Sequence, residues 1–233
     1  MSSITTEMSS AQAVEHAITS RRAIRAFLPD PVGPALVHRL IEVAAQAPSG
    51  TNMQPWKLRV IGPQTRERLE TALIAALDSP DLPAEEEYRY YPERFREPYL
   101  SRRRKVGWDL YGLLGVTKGD TAGMKRQSAA NLRFFGAPVA LMLTIDRDLE
   151  IGSWLDLGMF VQNLLVAAQG HGLDSCPQAI FARFHTVVRR ELDIPESEVV
   201  VCGIAIGQAD PDAPQNALVP EREPVEGFTT WLD

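Results

Sequence analysis

The sequence predicts an α+β fold. Three observations carry that prediction: amphipathic helical segments outnumber strand segments, two short apolar runs at 139–145 and 199–206 have the length of buried strands, and no strict strand–helix–strand alternation appears. Ser9 or Ser10 can cap a first helix running to about Ser20, with Val14, Ala17 and Ile18 at helical spacing. Gly33-Pro34 opens a second helix, Pro34 to Ala47, with Leu36, Leu40, Ile41 and Ala44 on one face, and Pro48-Ser49-Gly50 ends it. Lys57 to Ile61 reads as a strand and Gln64 to Asp78 as a third amphipathic helix. Leu155 to Gln169 is a strongly apolar helix that Gly170 or Gly172 terminates.

Residues 79 to 128 differ in composition. They hold Pro80, Pro83, Pro92 and Pro98, the acidic run Glu85-Glu86-Glu87, the basic run Arg102 to Lys105, and the rings of Tyr88, Tyr90, Tyr91, Tyr99, Trp108 and Tyr111. This stretch reads either as a surface excursion with short helices or as an aromatic lid over a ligand. The tail from Asp210 is Pro-rich yet ends with Phe228 and Trp231, which implies docking on its own domain or on a second subunit. No repeat and no dividing linker is evident, so residues 1–233 are expected to form one domain.

Of the 233 residues, 45% are hydrophobic and 23% charged, as in a globular protein. A net charge of −6 has the wrong sign for a nucleic-acid partner, although a local basic pocket for one small anion is compatible with it. Two cysteines, Cys176 and Cys202, cannot make a disulfide framework or a four-ligand zinc site. No stretch is expected to span a bilayer and the Ser/Thr-rich opening is not a secretory signal, so a reduced, cytoplasmic protein is expected.

Four clusters could carry chemistry. Arg21, Arg22 and Arg25 place three guanidiniums within five residues: either a solvated basic turn or a monophosphate site. The polar turn 47–56 contains Pro48, Ser49, Gly50 and Asn52, and reads either as an ordinary loop or as hydrogen-bonding surface for a polar heterocycle or ribityl chain. Segment 174–181, with Pro177, Gln178 and Ala179, is a loop entering an edge strand or a stretch with amides free for a ligand. Arg222 stands in the tail. No GxSxG, P-loop or GxGxxG occurs, and the four histidines lack metal-ligand spacing. Cys176 has no evident His partner that would make it a nucleophile. A phosphate cradle without nucleophile or metal cluster points to a bound cofactor as the chemical agent.

In order along the chain, SRRAIRAF (20–27), APSGTNMQPW (47–56), FFGAPVALML (134–143), DLGMFVQNLLVAAQGHGLDS (156–175) and VVVCGIAIGQAD (199–210), with Arg222 after them, resemble the nitroreductase family of FMN flavoenzymes. The resemblance implies a mainly antiparallel sheet flanked by helices, in an intertwined homodimer with C-terminal tail exchange and two FMN sites at the interface. It implies that Arg21, Arg22 and Arg25 hold the phosphate and ribityl end, that Arg222 reaches the phosphate, and that Pro48, Ser49, Gly50 and Asn52 meet the flavin from the partner subunit. Pro177, Gln178 and Ala179 would pack by the ring, with a backbone amide at N5. The implied reaction moves a hydride from NAD(P)H through flavin N5 to a nitroaromatic, by ping-pong turnover, with no catalytic side chain. Quinones are alternative acceptors; other redox chemistry on the same fold, such as reductive dehalogenation, or a non-catalytic flavin-binding module are alternative functions. Tyr88, Tyr91, Trp108 and Tyr111 are the candidates for shaping the acceptor pocket. Two departures stand out: Ala23 where many relatives have Ser, and Val219 where many have a second Arg. A middle contact could come from Arg126, Gln127, Asn131 or Arg133.

Overall fold

A computed structural model describes residues 8–79 and 86–233. Pro80, Pro83 and Glu85 of the excursion, and the first seven residues of the opening, lie outside them. The chain builds a four-stranded antiparallel sheet in the order β1-β2-β4-β3, from β1 (Lys57–Ile61), β2 (Val139–Asp146), β3 (Asp174–Gln178) and β4 (Glu198–Gly207). Helices cover both faces: α1 (Ser10–Ser20), α2 (Pro34–Ala44) and α6 (Ile151–Gly170) lie on one side. The other side carries α3 (Pro63–Asp78), α5 (Thr121–Leu132), α7 (Ile180–Arg183) and α8 (His185–Glu191), while α4 (Tyr99–Leu113) leans on the tail.

The alternation of β2 explains the layering. Val139, Leu141, Leu143 and Ile145 join the cluster of Leu40, Phe160 and Leu164; Ala140 and Met142 join that of Leu69, Leu73 and Phe134. Both faces are dry, so β2 reads as one apolar run rather than an alternating one. Gly203 in β4 is required for packing: a Cβ there would stand 2.4 Å from the Phe181 ring, which stacks on Phe134 at 4.6 Å between centroids.

The expected elements are present with shifted ends. The second helix stops at Ala44, three residues before the expected Ala47; proline disfavours helical backbone in the residue before it, and the chain turns ahead of Pro48. The apolar helix begins earlier, at Ile151, and Gly172 closes the turn after it with φ of 71°. Segment 174–181, read as a loop entering an edge strand, itself supplies that strand: β3 occupies Asp174–Gln178. The excursion contains longer helices than expected, α4 of 15 residues and α5 of 12, the latter continuing past 128. Among the described residues α6, 20 residues at a mean hydropathy of 1.3, is long and apolar enough to cross a membrane by length and composition alone. Its apolar character has a local reason, since Leu157, Phe160, Leu164, Leu165 and Ala168 cover the sheet.

Of the two free cysteines, Cys176 is buried in this core and Cys202 is half-buried against it. Burial pushes the Cys176 thiol up to about 11, against the opposing charges of Arg25 and Arg21, and Cys202 up to about 12. Neither is a thiolate near neutrality, which removes the nucleophile reading of Cys176. Iodoacetamide at pH 8 will label neither cysteine in the native protein and both after denaturation; rapid native labelling of Cys176, followed by mass spectrometry, would contradict its burial.

Candidate functional site

The arginine cluster is tied to the end of the sheet. Ala23 bridges Ser175 of β3, Ile24 N–H donates to Ser175 O at 3.1 Å, and Leu28 N–H donates to Gln208 O at 2.9 Å. Buried Asn216 fastens the same segment: its Oδ1 accepts from Arg25 N–H at 2.8 Å and its Nδ2 donates to Ala26 O at 2.8 Å. With the backbone of the segment anchored, the side chains of Arg21 and Arg25 line the cavities beside β3, Arg25 Nη1 also donating to Ala23 O at 3.2 Å.

Two adjoining cavities share Tyr88, Tyr90, Pro177, Gln178 and Ala179. The larger, about 870 Å³, adds Arg21, Trp154 and Gln162. The smaller, about 380 Å³, adds Arg25, Tyr91 and Asn131. Their combined size suits a mononucleotide and an aromatic molecule stacked on it. Arg222 is close enough to Arg21 for their charges to interact. Burial first, and then the Arg222 charge, hold the Arg21 guanidinium below the usual arginine range. Two cations held together in a half-buried site repel each other, and a bound dianion relieves both.

Of the five buried polar side-chain atoms without a hydrogen-bond partner among the described residues, three lie here: Arg21 Nε, Ser175 Oγ and Gln178 Oε1. Buried polar groups are paired in most folded proteins, so orphans in one neighbourhood fit a ligand that supplies the missing partners. Gln178 Nε2 donates to Asn131 O at 2.7 Å and to Asn131 Oδ1 at 2.8 Å, which fixes the amide beside the ring-sized space. A flavin mononucleotide fits this donor set: guanidiniums for the phosphate, amides for the polar edge of the ring.

The polar turn lies elsewhere on the chain. Pro48, Ser49, Gly50 and Asn52 line neither cavity. They form an exposed, tightly bonded loop in which Thr51, Asn52 and Gln54 hold positive φ of 48°, 61° and 50°. Gly50 N–H donates to Asp156 Oδ2 at 3.1 Å, and Gln54 N–H to Ser49 Oγ at 3.0 Å. Strain of this kind persists where surroundings hold it, and functional loops are its usual location.

The aromatic candidates divide. Tyr88 lines both cavities and donates its hydroxyl to Val201 O at 2.7 Å; burial pushes its phenol up, so the proton stays in that bond. Tyr91 lines the smaller cavity, edge-on to Tyr90 at 4.6 Å. Trp108 and Tyr111 line neither. They belong to α4, which packs on the turn Pro214–Ala217 and pairs Arg102 with Glu223, so the helix faces the tail rather than the cavities. Arg22 is half-buried and also outside both. Of the four residues considered for a middle contact, Asn131 reaches the site, while Arg126 pairs with Asp120 at 3.9 Å. Trp154, Asp156 and Asn216 were not anticipated. An aspartate in the middle of an apolar helix was the available signal for Asp156.

The Nitroreductase family matches residues 18–208, most of the chain and every cluster above except Arg222. The chain belongs to the nitroreductase family. It is similar to a 4-nitrobenzoate reductase of Pseudomonas putida, 40% identical over 92% of this chain and 93% of that protein. It is also similar to the structure of the FMN- and NADPH-dependent nitroreductase NfnB from Sphigopyxis sp. strain HMH, 36% identical, with a TM-score of 0.91 over 94% of this chain and 99% of that one. The NfnB structure from Mycobacterium smegmatis, solved in complex with NADPH, is 33% identical, with a TM-score of 0.91 over 97% of this chain and all of that one. This nitroreductase thus shares its antiparallel, helix-flanked sheet with those enzymes. Among its described residues no group of three or more His, Cys, Asp or Glu could hold a metal.

Proposed function

We propose that this chain reduces nitroaromatic compounds by alternating encounters with NAD(P)H and the acceptor at one site. It is an NAD(P)H-dependent nitroreductase, and FMN is its cofactor. The observation that carries the reading is the convergence of Arg21, with the Arg222 charge near it, and the orphaned Gln178 Oε1 on a cavity walled by Tyr88, Tyr90 and Trp154. FMN, when bound, supplies hydride acceptance and donation at its N5 atom. The protein's part is binding and orientation. Arg21, Arg25 and Arg222 compensate the phosphate charge. Gln178 and Asn131 address the polar edge of the ring, and Pro177 to Ala179 form the adjacent backbone. Tyr88, Tyr90 and Trp154 give an aromatic acceptor flat apolar surface and exclude water.

The working unit in this reading is a homodimer in which the single domain of residues 1–233 meets a second copy. Three features support it. The outer face of α6 is apolar and open, with Ile151 85% and Leu155 71% exposed. A groove lined by Val14, Ile18, Val43 and Val166 adjoins it. The tail carries Phe228, Trp231 and Leu232 at 70%, 83% and 89% exposure. Pairing would bring Ser49, Gly50 and Asn52 of one subunit to the cavity of the other, and give Trp108 and Tyr111 a facing surface. The unpaired thiols suit a reducing cytoplasm.

The purified protein will be yellow, with a flavin spectrum that bleaches when NADPH is added without oxygen and returns when a nitrobenzoate is added. A colourless protein that takes up no added FMN would overturn the cofactor assignment; bleaching without return would overturn the acceptor class.

A further inference from the structure

β3 pairs with β4 only over Gly203–Gly207, so the first half of β4 needs other partners on that side. Along its other edge, the register with β2 slips: Leu143 faces Cys202 while Thr144 faces Val200, leaving Val201 as the extra residue of a β-bulge. The segment before the tyrosines uses this irregularity. Val200 N–H donates to Glu87 Oε2 at 2.8 Å, and Val201 O accepts the Tyr88 hydroxyl. The Glu87 side chain is almost wholly buried, and its Oε1 accepts from Nη2 of both Arg147 and Arg189. The same two nitrogens also donate to Glu198 O, at 3.0 and 2.9 Å. Each arginine is fixed again by backbone: Arg147 Nε to Glu196 O at 2.8 Å, Arg189 Nη1 to Ile194 O at 3.3 Å. His185 Nδ1, buried and unpartnered, lies 3.8 Å from Glu87 Oε2.

We propose that Glu87 is a positioning residue for the acceptor pocket: its carboxylate, gripped by two arginines and the Val200 amide at the β4 bulge, sets where Tyr88 and Tyr90 stand. Glu87 lines neither cavity and touches no reacting group. Residues 88–90, by contrast, line the larger cavity, and among the described residues Tyr90 has no hydrogen bond of its own to the sheet. The wall is therefore attached at two adjacent points, the Glu87 carboxylate and the Tyr88 hydroxyl, both on the bulge. Charge makes the first point asymmetric. Replacing Glu87 by glutamine keeps the shape but leaves two guanidiniums facing each other without their anion, and a buried charge that loses its partner is strongly destabilising locally. The inference rests on the reading that Tyr88 and Tyr90 form the acceptor wall.

The test uses FMN-loaded Glu87→Gln, Arg147→Met and Tyr88→Ala beside the parent enzyme. Glu87→Gln is expected to raise KM for 4-nitrobenzoate about 5- to 20-fold. FMN content and flavin reduction at saturating NADPH stay within about twofold, and tryptic cleavage after Arg89, Arg94 and Arg96 accelerates at least about tenfold. Arg147→Met, at the more exposed partner, is expected to move KM and cleavage the same way by about 2- to 5-fold, and decides the matter if Glu87→Gln does not fold. Unchanged KM together with unchanged cleavage in the folded variant overturns the proposal. Tyr88→Ala tells the failures apart. If it too leaves KM unchanged, the acceptor-wall reading falls and takes the proposal with it; if it shifts KM while Glu87→Gln does not, the proposal alone falls.

Discussion

Replacing Arg21 and Arg25 together by alanine is expected to give a folded but largely colourless protein. The segment is held mainly by backbone bonds, Ile24 N–H to Ser175 O, Arg25 N–H to Asn216 Oδ1 and Leu28 N–H to Gln208 O, and of side-chain bonds only that of Arg25 Nη1 to Ala23 O is lost, so the fold of segment 20–28 survives the change. What disappears is the charge facing the cavities. A hydrogen bond to a charged group contributes about 1.5–3 kcal/mol, so two lost contacts weaken FMN by roughly 10²- to 10⁴-fold at about 1.4 kcal/mol per tenfold. The measurement is flavin content after gel filtration, with FMN affinity by fluorescence quenching and riboflavin as the control that lacks the phosphate. FMN and riboflavin falling equally would show that the arginines do not read phosphate; a fully yellow double variant would remove them from the site.

The second large effect is expected from deleting residues 224–233. Cutting there keeps Asn216, which is wired into the arginine segment, and keeps Arg222, while removing Phe228, Trp231 and Leu232. Burying one large ring is worth about 1.5–3 kcal/mol, and each dimer would bury two such tails. The truncated chain will dissociate at concentrations where the full chain remains paired, as read by sedimentation velocity, and will lose flavin on dilution. A dimer as tight as the parent's would show that these rings cover something other than a second subunit.

The parts of this structure that were legible in the sequence are those whose signal is local. Buried strands β2 and β4 are uninterrupted apolar runs, and α2 begins at a Gly-Pro pair that states where a helix can start. Segment 20–25 could be assigned a chemical interest because three like charges within five residues need a reason. What stayed hidden depends on distant pairs. That Asn216 would lock Arg25 across 191 residues of chain, or that Gln178 would meet Asn131, is not written near either residue. The aromatic segment shows the boundary well: its rings were visible, but which of them face a cavity was decided by Glu87 and Tyr88 finding an irregularity in β4. Trp108 and Tyr111, equally conspicuous, went with α4 to the tail.

The bulge at Val201 separates attachment from recognition. Because, among the described residues, the pocket wall is hydrogen-bonded to the sheet through the Glu87 carboxylate and the Tyr88 hydroxyl, the side chains of Arg89, Tyr90 and Tyr91 carry no obligation to the core. Evolution can exchange them, and with them the range of molecules admitted, without renegotiating the fold; a directed library confined to those three positions would sample new substrates at little cost in viable protein.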